Sequence, residues 1–303
     1  MKRKLIKQGK GGFTIYLPKK WIDSRELGEG DSINISENDN FLIVGCERKK
    51  KKEITIDIKE ENKEDIKNLL THIYRKGFDL VTIKNTDLKS LRQIKNVTSE
   101  LLLGFEITDR GENYCILENL SEPTEKKYDS LLKQNFLIIK ETIDFIISDF
   151  GKYEGLKEVE DLMKQQDKFI LFCRRILLKE KFEKDSITNW ELLTFLMHIQ
   201  HSLYYMYKHT SENKIKKDYE VLRVLINIRD YFDLIHKAYF KKDIKCLHKI
   251  NKLKDEYVFK KSFELLEKSK GQKATLHAHF RGIFRWIQLS SSPVMSTLLE
   301  DKI

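Results

Sequence analysis

The sequence contains few of the residue patterns that build metal clusters, disulfide frameworks or membrane spans. Its four cysteines, Cys46, Cys115, Cys173 and Cys246, lie far apart and form no CxxC pair. This spacing favours neither a zinc knuckle nor a disulfide framework, and predicts reduced, mostly buried thiols. No stretch approaches the roughly 18 uncharged apolar residues of a membrane span, and the N-terminus lacks a signal peptide's apolar core. We therefore expect a cytoplasmic protein without membrane insertion.

Recognisable catalytic motifs are also missing. Gly9, Gly11 and Gly12 form a glycine-rich turn, but the Lys-Ser/Thr pair of a phosphate-binding loop does not follow them. No Ser/His/Asp or Cys/His arrangement is legible in the sequence. The sequence therefore predicts neither an enzyme nor a bound cofactor.

Acidic residues are missing from the first twenty positions, although seven basic residues lie there. Residues 1–52 hold thirteen bases against seven acids, a net of +6, while the whole chain of 303 residues has a formal charge of +10. A general abundance of lysine would explain many of these bases, but not twenty residues without an acid. The position of the charge favours a polyanion partner.

The hydrophobic pattern changes twice along the chain, and it predicts a multidomain α+β protein. In residues 1–47, short alternating runs predict strands at Phe13–Leu17, Ile33–Ile35 and Phe41–Val44. The run of bases Arg48–Lys52 is typical of a charged linker. Residues 53–121 predict a small α/β unit with strands at 54–58 and 78–84, helices at 66–74 and 88–101, and a hairpin over 105–117.

Residues 124–303 are predicted to be a bundle of six helices, because apolar residues recur there at helical spacing. We expect these helices at roughly 125–150, 154–180, 188–209, 214–241, 243–269 and 273–300. The breaks between them are short, as in antiparallel bundles. The middle break divides the region into two three-helix halves of similar length.

The N-terminal segment resembles the AbrB/SpoVT family. The resemblance rests on the stretch MKRKLIKQGKGGFTIYLPKKW (residues 1–21) and on LGEGDSI (27–33): a basic strand, a glycine turn, an alternating strand ending in Leu-Pro-Lys, a short helix and Leu-x-x-Gly-Asp-x-Ile. It implies a swapped-hairpin β-barrel built from two chains, and hence a homodimer. Physical chemistry agrees, since so short a segment buries too little surface alone.

The chemistry expected of this head is neutralisation of phosphates on double-stranded DNA, because each lysine that pairs with a phosphate releases a counterion. Arg3 is the best candidate for reading a base, since arginine can contact guanine bidentately. The alternative is that these bases only keep the strands solvated, and Trp21 is better explained as barrel core than as a stacking platform. The predicted nucleic-acid-binding residues are Lys2, Arg3, Lys4, Lys7, Lys10, Thr14, Lys19 and Lys20.

Taken with the order of domains, the helical region resembles archaeal phosphate-uptake regulators of the PhoU-like type. The resemblance implies an AbrB-like head, a small α/β segment and two three-helix repeats, with regulation of phosphate uptake or of an allied ion. PhoU-like repeats carry a Glu-x-x-x-Asp pair that binds metal. The matching positions here read Met197-His-Ile-Gln-His201 and Arg281-Gly-Ile-Phe-Arg285, so the carboxylates are replaced and no metal site is predicted.

Three observations leave alternatives to that interpretation. His198 and His201 lie three apart on one helical face, and could hold a single metal ion; His277 and His279 point to different faces. Glu125 and Asp129 have the spacing of the PhoU-like Glu-x-x-x-Asp pair but start a helix, where they stabilise its N-terminus electrostatically.

The sequence thus predicts a dimeric transcriptional regulator. Its rivals are an adaptor whose bundle binds a transporter or signalling kinase, and a metal-sensing module.

Overall fold

The fold is known from a computed structural model, which describes residues 2–9, 11–38, 41–46, 51–58, 65–121, 125–179 and 186–300. The chain divides into two compact units, Met1–Lys52 and Glu53–Ile303. The first is built of short strands with one short helix, and the second is mostly helical, so the chain is a mixed α+β protein. Most of the predicted linker, Arg48–Lys50, lies outside the described residues. The three-domain boundaries stay a prediction.

The first unit contains two separate β-hairpins. Its elements are β1 (Ile6–Gln8), β2 (Gly12–Thr14), α1 (Lys19–Asp23), β3 (Asn34–Asn38) and β4 (Phe41–Gly45). Strand β1 pairs antiparallel with β2, and β3 pairs antiparallel with β4. Alternation predicted that the second strand continues to Leu17, but it ends at Thr14. The next residues of that segment have no partner strand within the described part of this chain.

The second unit begins with a four-stranded sheet and two helices. The elements are β5 (Glu53–Asp57), α2 (Ile66–Arg75), β6 (Leu80–Lys84), α3 (Leu88–Leu101), β7 (Phe105–Arg110) and β8 (Tyr114–Asn119). The strand order is β5-β6-β8-β7, with β5 and β6 parallel and the other pairs antiparallel. All six elements were predicted from periodicity and are confirmed.

Local chemistry sets the ends of the two helices in this α/β part. Helix α2 ends before Gly77, which has φ of +77°, a left-handed conformation that glycine adopts without steric cost. Helix α3 begins after Asp87, whose carboxylate accepts a hydrogen bond from the backbone N–H of Ser90 at 2.7 Å. The buried apolar residues of both helices belong to the same core as Val81, Ile83 and Leu117 of the sheet.

The rest of the second unit is helical. Its elements are α4 (Glu125–Asp149), α5 (Leu156–Lys179), α6 (Ser186–Glu212), α7 (Tyr219–Lys241), α8 (Ile244–Lys254), a π-helical turn (Asp255–Lys260), α9 (Lys261–Lys268), α10 (Gln272–Leu289) and α11 (Ser291–Glu300). The first four predicted helices are confirmed in position, and the last two are helical but not continuous. No helix of the described residues is long and apolar enough to cross a membrane.

Two of the predicted helices are interrupted. The helix expected over 243–269 contains the π-helical turn, where the hydroxyl of Ser262 donates to the carbonyl of Tyr257, five residues back. The helix expected over 273–300 is broken at Ser290. Pro293 lies three residues later, in the first turn of α11, where the lack of an N–H costs little.

A buried arginine joins the α/β part to the bundle. Arg175 of α5 is fully buried, and its guanidinium donates to the carbonyl oxygens of Tyr74 at 3.0 Å and Phe78 at 2.7 Å. It also forms an ion pair with Asp79 at 2.6 Å, and the ammonium of Lys179 reaches the same carboxylate oxygen at 2.5 Å. Helix α5 is thereby fixed to the loop between α2 and β6.

Candidate nucleic-acid interface

The β1–β2 hairpin carries the first group of predicted contact residues. Its register places Lys7 opposite Phe13 and Ile6 opposite Thr14. The turn depends on Gly9, whose φ of +65° is strained for any residue with a Cβ. At Gly12, an added Cβ would lie 3.2 Å from the carbonyl oxygen of Gln8. The glycines that the sequence marked as a turn therefore allow the tight reversal.

The predicted basic residues are distributed over three places in this unit. Lys2, Arg3 and Lys4 precede β1, Lys7 lies within it, and Lys19 and Lys20 open helix α1; all six side chains are exposed. No ion pair or side-chain hydrogen bond of these six bases occurs within the described residues. Lys10 lies outside the described residues. The six ammonium and guanidinium groups are thus available to an external anion.

Thr14 is engaged within the hairpin. Its hydroxyl donates to the carbonyl oxygen of Ile6 at 3.3 Å. A threonine hydroxyl has one proton to donate and phosphate oxygens only accept, so a phosphate contact requires this hydrogen bond to break. Thr14 therefore stabilises the hairpin in the free chain.

Helix α1 adds a basic residue that the sequence analysis did not single out. Arg25 follows the helix and places its guanidinium carbon 4.5 Å from the centre of the Trp21 ring. The same side chain donates to the hydroxyl of Ser24 at 3.1 Å. Trp21 is half-buried under this cation. The spacing Trp-x-x-x-Arg places the two side chains on one face of a helix, and could have predicted the contact from the sequence.

Acidic residues of this unit begin at Asp23, and one of them has a structural role. The carboxylate of Asp31 accepts a hydrogen bond from the backbone N–H of Gly28 at 2.8 Å, which closes the turn before β3. Gly30 takes a φ of +88° in the same turn. This explains the Gly-Glu-Gly-Asp motif by backbone geometry, so the motif needs no ligand.

The first unit leaves its large apolar side chains uncovered. Among its described residues no side chain is buried. The most exposed apolar side chains, between 61% and 73% of their surface, are those of Leu5, Phe13, Tyr16, Ile35, Phe41 and Leu42. An isolated pair of two-stranded hairpins is marginally stable in water. These apolar side chains are therefore not covered by the described part of this chain.

The histidines that were considered as metal ligands have other neighbours. The His198 ring stacks on Trp286 at 4.5 Å, and burial lowers its pKa. His201 approaches the carboxylate of Asp167 at 2.8 Å. Within the described residues, no group of three or more His, Cys, Asp or Glu side chains is placed to hold a metal ion.

The two arginines at the other PhoU-like positions contact aromatic and amide groups. The guanidinium of Arg281 lies 4.6 Å from the Phe263 ring centre, and Arg285 donates to the side-chain oxygen of Gln288 at 2.6 Å. His277 is buried, while His279 lies beside His209 with their ring centres 5.6 Å apart. The two histidines therefore do face different surroundings. The side chain of Glu125 lies outside the described residues.

All four cysteines are free thiols, as predicted, with Cys115 and Cys173 buried and the other two half-buried. Burial raises the pKa of Cys115 to about 11.

Comparisons of the chain with protein-family models, with curated proteins and with solved structures give no significant match.

Proposed function

We propose that the chain is a DNA-binding transcription regulator that dimerises through its first unit. The observation that carries this proposal is the set of six exposed bases without ion-pair partners, on a segment whose first twenty residues contain no acid. Duplex DNA carries one negative charge per about 1.7 Å of helix axis, and a dimer would present the cluster twice.

The proposed dimer is a swapped-hairpin barrel of the kind the AbrB/SpoVT resemblance implies. Two hairpins of one protomer would interleave with two hairpins of its partner, so that Phe13, Ile35 and Phe41 enter a shared core. The support is the exposure of these rings and aliphatic chains, at 64%, 61% and 73%. Burying them would contribute about 1.5–3 kcal/mol for each fully buried side chain.

The helical part is proposed to receive the regulatory signal, as two PhoU-like repeats. The support is the order of the helices, with α4–α6 before the break at residues 213–218 and the others after it, and the packing of α6 against α10. Under this resemblance the regulated process is phosphate uptake or the homeostasis of an allied ion. The replaced carboxylates argue against direct metal binding at Met197, His201, Arg281 and Arg285.

The test is binding of the full chain to duplex DNA as a function of salt. Each phosphate contact contributes a slope of about −0.9 in log K against log [salt]. Replacing Lys2, Lys4 and Lys7 by Gln removes up to six contacts from a dimer, and should make the slope shallower by up to about 5. A triple variant of exposed bundle lysines, K237Q/K245Q/K249Q, changes the net charge equally and should leave the slope unchanged.

Two results would contradict this function. If the full chain bound no duplex at low salt while remaining dimeric, the head would serve only for dimerisation. An equal loss in both triple variants would mean that net charge, rather than the head, attracts DNA. Either result favours the adaptor, whose bundle docks on a transporter or kinase.

A further inference from the structure

The second unit contains a cavity of about 330 Å³ between helix α7, the π-helical turn, α9 and α10. Its volume is at the lower end of the range for sites that hold small organic ligands, about 300–1,000 Å³. All of its walls belong to the second unit, so it is distinct from the basic head.

A buried histidine without hydrogen bonds forms part of the floor. The His277 side chain is 1% exposed and lines the cavity. Neither ring nitrogen has a hydrogen-bond partner among the residues that the structure describes. The nearest carboxylate oxygen, on Glu220, lies 3.7 Å from Nε2, beyond hydrogen-bond distance. An unsatisfied buried polar group costs about 1–3 kcal/mol, so a native protein seldom keeps one without a reason.

One wall of the cavity is aromatic. Tyr257 and Phe284 stack with their ring centres 4.8 Å apart and their planes inclined by 27°. Phe280 is buried beside them and contacts the His277 ring edge-on at 5.8 Å. Flat apolar side chains arranged in this way suit the flat apolar body of a ligand.

The rim carries positive charge that is not neutralised by the protein. Arg223 and Lys268 are exposed at the mouth and have no ion pair or hydrogen bond within the described residues. Of the two carboxylates that line the cavity, Glu220 pairs with Lys273 at 3.2 Å. Glu264 has no ion pair or hydrogen bond within the described residues. Two unpaired cations against one unpaired carboxylate favour an anionic group at the mouth.

The π-helical turn shapes this site. Asp255–Lys260 widen the helix by one residue per turn, and Tyr257 lies within it. Ser262, which also lines the cavity, donates its hydroxyl to the carbonyl of Tyr257 and so links the turn to the start of α9. Single π-helical turns are costly and occur frequently at functional sites.

We propose that this cavity binds a small aromatic anion, with its ring against Tyr257, Phe280 and Phe284, its phosphate or carboxylate at Arg223 and Lys268, and a polar ring substituent at His277. The site goes beyond DNA binding, and its occupancy can be measured without DNA.

The test is calorimetric titration of the full chain with phenyl phosphate, inorganic phosphate and benzyl alcohol. Phenyl phosphate carries the ring and the anionic group of the proposed ligand, and should bind saturably and at least about tenfold more tightly than inorganic phosphate or benzyl alcohol. Arg223→Gln should weaken this binding at least about fivefold, because it removes an anion contact. The matched control Arg229→Gln lies on the same helix outside the cavity and should leave the affinity unchanged.

A second variant locates the ring. Leu265 is half-buried in the cavity wall, and Leu265→Trp should fill the space and abolish binding while circular dichroism shows an unchanged helical spectrum. Equal affinities for phenyl phosphate and inorganic phosphate would overturn the proposal, because the rim alone would then bind. It would also be overturned if Arg229→Gln weakened binding as much as Arg223→Gln, or if saturable binding were missing at about 10 mM.

Discussion

Arg175 has a fully buried side chain, and the groups it contacts belong to the α/β part while the residue itself belongs to helix α5. Its guanidinium also lies 5.0 Å from the Tyr74 ring centre and 5.1 Å from that of Phe105. The ion pair with Asp79 is therefore enclosed by aromatic rings, where water does not screen it.

We expect Arg175→Met to lower the free energy of unfolding by about 3–5 kcal/mol, because it removes a buried guanidinium donor from two carbonyl groups and from the Asp79 carboxylate. Urea titration followed by circular dichroism measures this change. Arg229→Met is the matched control, since its side chain is 39% exposed and its pairs with Asp230 at 3.4 Å and Asp144 at 4.0 Å are solvated. An equal loss of unfolding free energy in the two variants would show that burial does not increase the contribution of Arg175 to stability.

Burial also affects the histidines of the second unit. It lowers the pKa of His198, His236, His277 and His279, and around His277 the carboxylate of Glu220 opposes this shift while Lys273 adds to it. In the unfolded chain these rings take up protons near pH 6.5, where the folded chain holds fewer. The stability contributed by these neutral rings is present above that pH and is lost as the pH falls below it.

The free energy of unfolding should therefore fall between about pH 7 and pH 5, as urea titrations at several pH values would show. His277→Phe should make this fall shallower because it removes one of the four rings. His248→Phe is the control at an exposed histidine, and it should leave the fall of stability between about pH 7 and pH 5 unchanged. A stability that stays constant over this interval would contradict the expectation.

At the scale of the elements, helix α7 depends on its N-cap. The carboxylate of Asp218 accepts from the backbone N–H of Val221 at 2.8 Å and pairs with Lys273 of α10 at 2.9 Å. Burial alone would raise the pKa of Asp218, but these two contacts lower it. The cap thus fixes the start of α7 and also links α7 to α10, two of the helices that flank the cavity.

We expect Asp218→Ala to cost about 1–2 kcal/mol in urea unfolding, as the loss of other N-caps does. Asp218→Asn keeps the cap and loses only the charge, so it should cost less than the alanine variant. If the two variants were equally destabilised, the ion pair with Lys273 rather than the cap would be responsible.

The elements themselves could largely be predicted from the sequence. Apolar spacing found the helices of the second unit within a few residues, because packing of one face dominates their stability. The π-helical turn at Asp255–Lys260 could not be found, since one extra residue per turn leaves little trace in a hydrophobic pattern. Strand β2 was predicted too long because alternation shows which face is apolar, and not whether a partner strand exists.

Of the two candidate sites, the basic cluster could be predicted from the sequence and the cavity could not. The basic cluster of the head was visible because charge is a local property of the sequence. His277 was considered only as a metal ligand, and its place in the cavity depends on residues of α7, the π-helical turn and α10, which are distant in sequence. The contacts of Arg175 with Tyr74 and Asp79 likewise join residues about a hundred positions apart.

At the scale of the whole molecule, the exposed apolar side chains of the first unit allow the proposed dimer to be tested. We expect light scattering behind size exclusion to give a dimer mass for the full chain. The double variant Phe13→Lys/Phe41→Lys should shift it to the monomer mass, because charges in a shared core are not solvated. The control Leu88→Lys changes an exposed apolar residue of the second unit, 78% exposed, and should stay dimeric. A dimer that survives in the double variant would place the contact elsewhere.

The open hairpins of the first unit also have a consequence for how the protein would respond to its own abundance. If each barrel requires two chains, the concentration of complete DNA-binding heads rises with the square of the chain concentration whenever dissociated protomers predominate. A twofold increase in synthesis would then raise operator occupancy up to fourfold. Such a dimer would bind little DNA when the chain is scarce, and its DNA binding would rise steeply as the chain becomes abundant.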